Sequence, residues 1–299
     1  MNFKSFIGLV ALCLSHLVFA GSPTLDKIKS SSTVTMGVRE SSIPMSYTIG
    51  DSRFDGYHVE ICRMILGDIK DRLKLGTLRI NYQPVTSQNR VPLVQNGTVD
   101  IECGTTTNNL ARAKDVGFAN TLYVEEVRIA VKANSGINSI SQLAGKKVAT
   151  TTGTTSVQLL RKHEKANGVN FDEVFGKDHA DSFLLLESGR ADAFVMDGSI
   201  LAGNIANSKN PKDYKIVGEI LSTEPIAIMV RKDDPEFKAA VNEAIAKIVK
   251  NGNMPKLWNK WFLSPIPPKN IVVGLELSPA TKNAWANLND KPAEDYQKK

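Results

Sequence analysis

Polar side chains able to grip a charged ligand recur in one kind of place along this chain. Arg39 lies just past a strand-like run, Ser87 and Arg90 open a helix-like segment after another, and Thr105 to Thr107 follow a third. Gly153 to Ser156 and Asp197 also come directly after strand-like runs. Open α/β sheets bind ligands outside the carboxyl ends of their strands, so these loops can converge on one cleft. Helix starts at Ser87 and Thr155 would turn backbone N–H groups and a positive dipole end toward a carboxylate. Each residue also has an ordinary reading. Ser87 and Thr155 fit plain N-caps, and Arg39, Arg90 and Arg112 fit solvated arginines. Asp197 fits a turn cap before Ser199, and His179, in Lys-Asp-His-Ala-Asp-Ser, fits a surface loop. Their shared placement carries more weight than any one of them.

Catalytic signatures are poor by contrast. Ser199 sits in Met-Asp-Gly-Ser-Ile, without the flanking glycines of a nucleophile elbow. Thr-Thr-Gly-Thr-Thr-Ser lacks the Gly-Lys-[Ser/Thr] ending of a phosphate loop. A Cys103–His179 couple is the remaining nucleophile–base option, and no paired carboxylates sit at an informative spacing. His58, His163 and His179 have no His-x-x-His or Cys-x-x-Cys neighbours, so neither a metal nor another cofactor is expected.

The elements that would hold these residues alternate between strand and helix, which argues for an α/β architecture. Thr33 to Val38 alternates with Val34, Met36 and Val38 on one face. Val59, Cys62, Ile65, Leu66, Ile69 and Leu73 then fall on one helical stripe. Leu78 to Tyr82 is strand-like, Thr86-Ser87 cap a helix that stops at Asn96-Gly97, and Val99 to Cys103 is the next strand. A second series follows: strands at 128–132, 147–150, 193–196, 214–219 and 226–231, with helices at 140–143, 157–165 and 182–187. Long helices are predicted over 235–250 and 253–262, then an irregular Pro-rich tail. No repeat or low-complexity linker appears, which suits two lobes joined by short extended crossings.

Lys4 and the apolar run from Phe6 to Ala20, with Val18-Phe19-Ala20 before Gly21, read as a cleaved secretory signal peptide over residues 1–20. An uncleaved N-terminal anchor is the alternative, and a lipid anchor on Cys13 the weaker one. About 280 residues remain, enough for two cores. The 37 basic and 31 acidic residues fall to 36 and 31 without Lys4, a net of +5. The excess is scattered, which argues against nucleic acid as a partner and leaves room for a mildly positive cleft around an anionic ligand.

Several runs are more particular. They are Arg39-Glu40-Ser41-Ser42-Ile43-Pro44, Thr86-Ser87-Gln88-Asn89-Arg90, Leu93-Val94-Gln95-Asn96-Gly97, Glu102-Cys103-Gly104 with Thr106-Thr107-Asn108-Asn109, and Gly153-Thr154-Thr155-Ser156. Lys177-Asp178-His179 with Asp181-Ser182, Glu187-Ser188-Gly189-Arg190-Ala191, and Pro265-Ile266-Pro267-Pro268-Lys269-Asn270 continue the series. Together, from about Leu25 to Leu277, the chain resembles the periplasmic glutamate/aspartate-binding proteins of ABC transporters.

The resemblance implies a two-lobed type II periplasmic-binding fold, with lobe one at 22–125 plus 229–299 and lobe two at 126–228. It implies that Arg39, Ser87, Arg90 and His179 hold the ligand's side-chain carboxylate. Thr107, Arg112 and Thr155 would hold its α-carboxylate, and Asp197 with Thr105 its α-ammonium. Three arginines suit two carboxylates, because planar guanidinium forks match carboxylates bidentately. The implied protein is a monomer that closes on glutamate or aspartate and delivers it to the membrane permease of an ABC importer, without enzymatic activity. A prephenate-type dehydratase on the same fold and a ligand sensor or adhesin are the alternatives. Thr105 stands where the family pattern has serine, and Cys62 lies outside that pattern. Cys62, on the inward helical stripe, and Cys103, on the inward strand face, either form a disulfide or remain two buried thiols.

Overall fold

The computed structural model describes residues 21–297; the predicted signal peptide at 1–20 lies outside the described residues. Helix α1 (Pro23–Ser31) begins with Ser22, whose hydroxyl accepts from the Leu25 N–H. Strand β1 (Thr33–Val38) leads past Arg39 into a small antiparallel sheet of β2 (Ser41–Ser42), β3 (Ser46–Gly50) and β4 (Arg53–Asp55), in a stretch read from sequence as a loop. Helix α2 (Tyr57–Arg72) buries Val59, Cys62, Ile65, Leu66 and Ile69, the stripe expected from their spacing. Strand β5 (Arg79–Pro84), helix α3 (Arg90–Gln95), β6 (Ile101–Glu102) and β7 (Val116–Phe118) follow.

The chain then leaves for a second sheet. Strand β8 (Tyr123–Lys132) enters it, followed by β9 (Lys147–Thr151), helix α4 (Thr155–Asn167), β10 (Asp172–Gly176), helix α5 (His179–Glu187), β11 (Ala193–Asp197) and helix α6 (Gly198–Asn207). Strand β12 (Tyr214–Ile226) runs back, and β13 (Met229–Arg231) returns to the first sheet. Two strands expected at 214–219 and 226–231 are therefore one long crossing with an irregularity between Val217 and Ser222, then a short strand. The first sheet has the order β5-β1-β6-β13-β7 and the second β10-β9-β11-β8-β12. In each, the first three strands are parallel, with carboxyl ends on one side.

Cys62 and Cys103 are bonded, with a sequence separation of 41. The bond staples α2 to the strand end carrying Glu102 and Gly104, and closing a loop of that length stabilises by about 3–4 kcal/mol if chain entropy dominates. Helix α7 (Pro235–Lys250) packs on α2, and α8 (Asn253–Trp258) continues as a wider turn to Leu263. That turn brings Trp258 and Phe262 into a stack at 3.8 Å.

The tail is not irregular throughout. Helix α9 (Pro279–Ala286) lies along β8, where the Thr281 hydroxyl accepts from the Val124 N–H at 3.1 Å and Trp285 Nε1 donates to the Leu122 carbonyl at 2.7 Å. Helix α10 (Ala293–Tyr296) reaches β12, and the Ala293 N–H donates to the Asn108 carbonyl at 2.8 Å. Its sequence shows no apolar period because α9 buries only Thr281, Ala284 and Trp285 and α10 only Ala293. Among the described residues, no helix is long and apolar enough to cross a membrane.

Candidate functional site

The carboxyl ends of the two sheets face each other, and the loops there hold the side chains singled out above. Ser87, Arg90, Thr105, Thr107, Thr155, His179 and Asp197 border one space, joined by Thr154 and Met196. The space is narrow and lined mainly by polar atoms, so it suits a small polar molecule. The walls approach closely: a Cβ on Gly153 would stand 2.9 Å from the Gln88 backbone nitrogen, and φ there is +80°. Glycine meets both demands.

Ser87 does not begin a helix. The Thr86 N–H donates to Asn89 Oδ1 and the Asn89 N–H to Thr86 Oγ1, forming a turn that delays the start of α3 to Arg90. Ser87 is thereby left at the cleft with a hydroxyl that has no partner in the protein. Thr155 does open α4, so its N–H lies in the unbonded first turn.

At one end of the cleft Arg39 and Arg90 are 1 % and 2 % exposed. They are not the solvated arginines of the ordinary reading. Burial and the Arg90 charge push the Arg39 guanidinium down to about 9, and burial lowers Arg90 as well. Glu102, fully buried, lies 3.9 Å from Arg90 Nη1 and accepts from the Thr106 hydroxyl at 2.8 Å. Any Cβ at Gly104 would overlap Glu102 Oε1 and crowd the Arg39 stem, so glycine is required beside this group. His179 faces the same end; its Nδ1 lies 3.0 Å from Thr151 Oγ1. Burial, then the charges of Arg39 and Arg90, hold it well below the usual histidine range and therefore neutral. Arg39 Nη1, Arg90 Nε and Nη1, Ser87 Oγ and His179 Nε2 are all buried without a partner in the protein.

The other end is already knit together. The Thr107 and Thr155 hydroxyls both donate to Oε2 of Glu224, at 2.6 and 2.8 Å. Arg112, half-buried, donates to the Thr107 carbonyl at 3.0 Å and to the Gly153 carbonyl at 3.3 Å. Burial and the Arg90 charge bring its guanidinium down to about 10. Asp197 is 2 % exposed with Oδ1 unpartnered. Burial, then Glu125 and Glu224, raise its carboxyl well above the usual range, against the pull of Arg90 and Arg112. Glu125, pushed up to about 7 by burial, accepts from the Ser199 hydroxyl and N–H at the start of α6. Ser199 thus serves that carboxylate as a donor.

All nine sequence-predicted ligand residues gather here, Arg39 behind Arg90 and Arg112 at the rim. Sequence reasoning missed Glu102, Glu125 and Glu224, and treated Asp197 as the only acid near the cleft. Glu102 stands at a strand end, the placement that drew attention to its neighbours, so it was findable. Glu224 lies within a long strand read as ending at 219 and carried no local signal. Cys103 is bonded to Cys62, which removes the Cys103–His179 couple. Among the described residues, no group of three or more histidine, cysteine or acidic side chains could hold a metal ion.

Similarity to known proteins agrees with this geometry. The chain is 42 % identical over 272 residues to the glutamate/aspartate import solute-binding protein of Escherichia coli K12, covering 91 % of this chain and 90 % of that one. It is 41 % identical over 289 residues to the L-glutamate/L-aspartate-binding protein of Pseudomonas aeruginosa, covering 96 % of each. A solved structure of an ancestral arginine-binding protein bound to glutamine matches with a TM-score of 0.69 at 28 % identity, over 77 % of this chain and 98 % of that one. The architecture is the type II periplasmic-binding fold, and the chain is a binding protein rather than an enzyme. The family model for bacterial extracellular solute-binding proteins, family 3, matches residues 34–264, and the chain belongs to that family.

Proposed function

We propose that this protein captures glutamate or aspartate in the periplasm by closing two lobes on it, and delivers it to the permease of an ABC importer. Lobe one is taken as 22–125 with 229–299, lobe two as 126–228, and the working unit as a monomer exported by the signal at 1–20. The observation that carries the reading is the group of buried, unpartnered donors on Arg39, Arg90, Ser87 and His179. A buried donor without an acceptor is costly, and a carboxylate, which only accepts, offers such a group about four lone-pair sites. An amide would instead turn two N–H groups toward arginines. Arg112 and the backbone N–H groups of Thr107 and Thr155 would hold the α-carboxylate, and Asp197 with Thr105 the α-ammonium, because an ionised aspartate is the natural partner of a buried cation.

A neutral His179 suits this role. It need not be protonated to serve a carboxylate: a proton on Nε2 suffices, with Nδ1 accepting from Thr151 Oγ1. Mass spectrometry of small molecules released from the purified, denatured protein tests the assignment. Glutamate or aspartate is the expected species, and a stoichiometric neutral or basic amino acid would overturn it.

A further inference from the structure

We infer that Glu224 is a positioning residue that commits the hydroxyl protons of Thr107 and Thr155 and thereby makes the cleft select a ligand bearing an ammonium group. The inference rests on the amino-acid reading above. Glu224 sits on β12, one of the two crossings between the sheets, and is 3 % exposed. One of its oxygens accepts from a hydroxyl on each side of the cleft, Thr107 at 2.6 Å and Thr155 at 2.8 Å.

A threonine hydroxyl has one proton and two lone pairs. With both protons committed to Glu224, the two oxygens can only accept from whatever lies between the walls. They cannot donate to an α-carboxylate, which falls instead to Arg112 and to backbone N–H groups such as that of Thr155 at the start of α4. Asp197 Oδ1, buried and unpartnered, is a further acceptor bordering the same space. Two hydroxyl oxygens and a carboxylate suit a donor with three N–H bonds, which is an ammonium. Glu224 also adds a second negative charge beside Asp197, so a ligand with the same carboxylates and no ammonium would face acceptors without donors.

Calorimetric titration of L-glutamate and of glutarate, which keeps both carboxylates and lacks the ammonium, tests this. In Glu224→Gln the side-chain amide donates to one hydroxyl and frees its proton, and one negative charge is lost. Glutamate should then bind about 10- to 100-fold more weakly, the scale of one charge-assisted hydrogen bond. Glutarate affinity should change by less than about threefold, so the preference ratio collapses. Equal losses for both ligands, or an unchanged ratio, overturn the inference, since a merely structural role would weaken both alike. If Glu224→Gln does not fold, Thr155→Val should lower the ratio while Thr155→Ser keeps it, and a ratio preserved in both overturns the inference equally. Wild-type protein that binds neither glutamate nor aspartate would overturn the ligand reading, and this inference with it. Wild-type protein that binds glutamate, beside a variant whose ratio is unchanged, overturns this inference alone.

Discussion

The two ends of the cleft are built on opposite plans. At the arginine end, Arg39, Arg90, Ser87 and His179 bring buried donors that no protein atom satisfies. At the threonine end, Thr107, Thr155 and Arg112 already have partners in Glu224 and in two backbone carbonyls. The first is completed only by an incoming anion, so it should dominate selectivity among amino acids. The second is preassembled and reads what all amino acids share. Its one open group, Asp197, is the likeliest source of pH dependence because its ionisation is the one most opposed by its surroundings.

The largest effect is expected from disabling the arginine end. Arg90→Gln keeps part of the stem and removes a buried cation, and titration should show glutamate binding weakened by roughly 100- to 1,000-fold. An alanine at Arg39 is a poorer test: Arg39 is among the largest fully buried side chains, so truncation would also open a cavity. A change of less than about threefold in Arg90→Gln would place selectivity elsewhere.

Exchanging the ligand probes the same end with the protein intact. Glutamine presents a neutral amide to Arg39 and Arg90 and should bind about 30- to 1,000-fold more weakly than glutamate. Aspartate, one methylene shorter, should differ from glutamate far less. Competition titration decides both, and equal affinities for glutamine and glutamate would contradict the contrast between the ends.

Varying pH separates the ends further. The raised carboxyl of Asp197 holds a proton at acidic pH, whereas an ammonium beside it favours the ionised form. Binding therefore releases that proton, and glutamate affinity should rise with pH, by up to about tenfold per pH unit, until the free protein is itself deprotonated. Asp197→Asn should flatten the slope whatever its absolute affinity. His179, already neutral, adds no fall in affinity as pH rises through the usual histidine range. A profile that falls between pH 6 and 8 and flattens in His179→Gln would reverse this assignment.

The smallest effect concerns the support of one donor. Thr151→Val removes the hydroxyl 3.0 Å from His179 Nδ1 and with it the contact that selects the Nε2–H tautomer. Glutamate should bind about 3- to 10-fold more weakly, the worth of one neutral hydrogen bond, and nuclear magnetic resonance of the imidazole nitrogens should show a mixed tautomer in the complex. An unchanged tautomer would leave Thr151 without a role at the arginine end.

Much of this arrangement was legible before any coordinates, because strand ends can be recognised locally. Thr33 to Val38 alternates, so the loop after it was a reasonable place to look for Arg39, and the stripe of α2 repeats at helical spacing, which put Cys62 on an inward face. The alternation of elements implied an α/β architecture; the family resemblance implied two lobes and an acidic ligand with one cationic group, which the charge types at the strand ends suit. The parts that escaped have physical reasons. Ser87 was assigned to a helix start because Thr86 and Asn89, three apart, exchange side-chain bonds as a capping pair does, yet α3 itself begins only at Arg90. The tail helices α9 and α10 are too short to show a period and are held by contacts to Val124, Leu122 and Asn108, far away in sequence.

What the sequence determined by itself was the inventory: three arginines, one histidine, four hydroxyls and an aspartate at the ends of elements whose hydrophobic periods mark them as strands and helices. Periodicity and capping are short-range properties, so a linear reading reaches them. Only the tertiary structure decided how charge is balanced. Glu102 meets Arg90 across 12 positions and Glu224 meets Thr107 across 117, separations at which no local rule operates. Burial then sets protonation: His179 is neutral because a dry surround, then two arginines, oppose its charge, and Asp197 is hard to ionise because burial, then Glu125 and Glu224, oppose its charge. Desolvation and Coulomb energies depend on distance through space, and the fold alone supplies those distances.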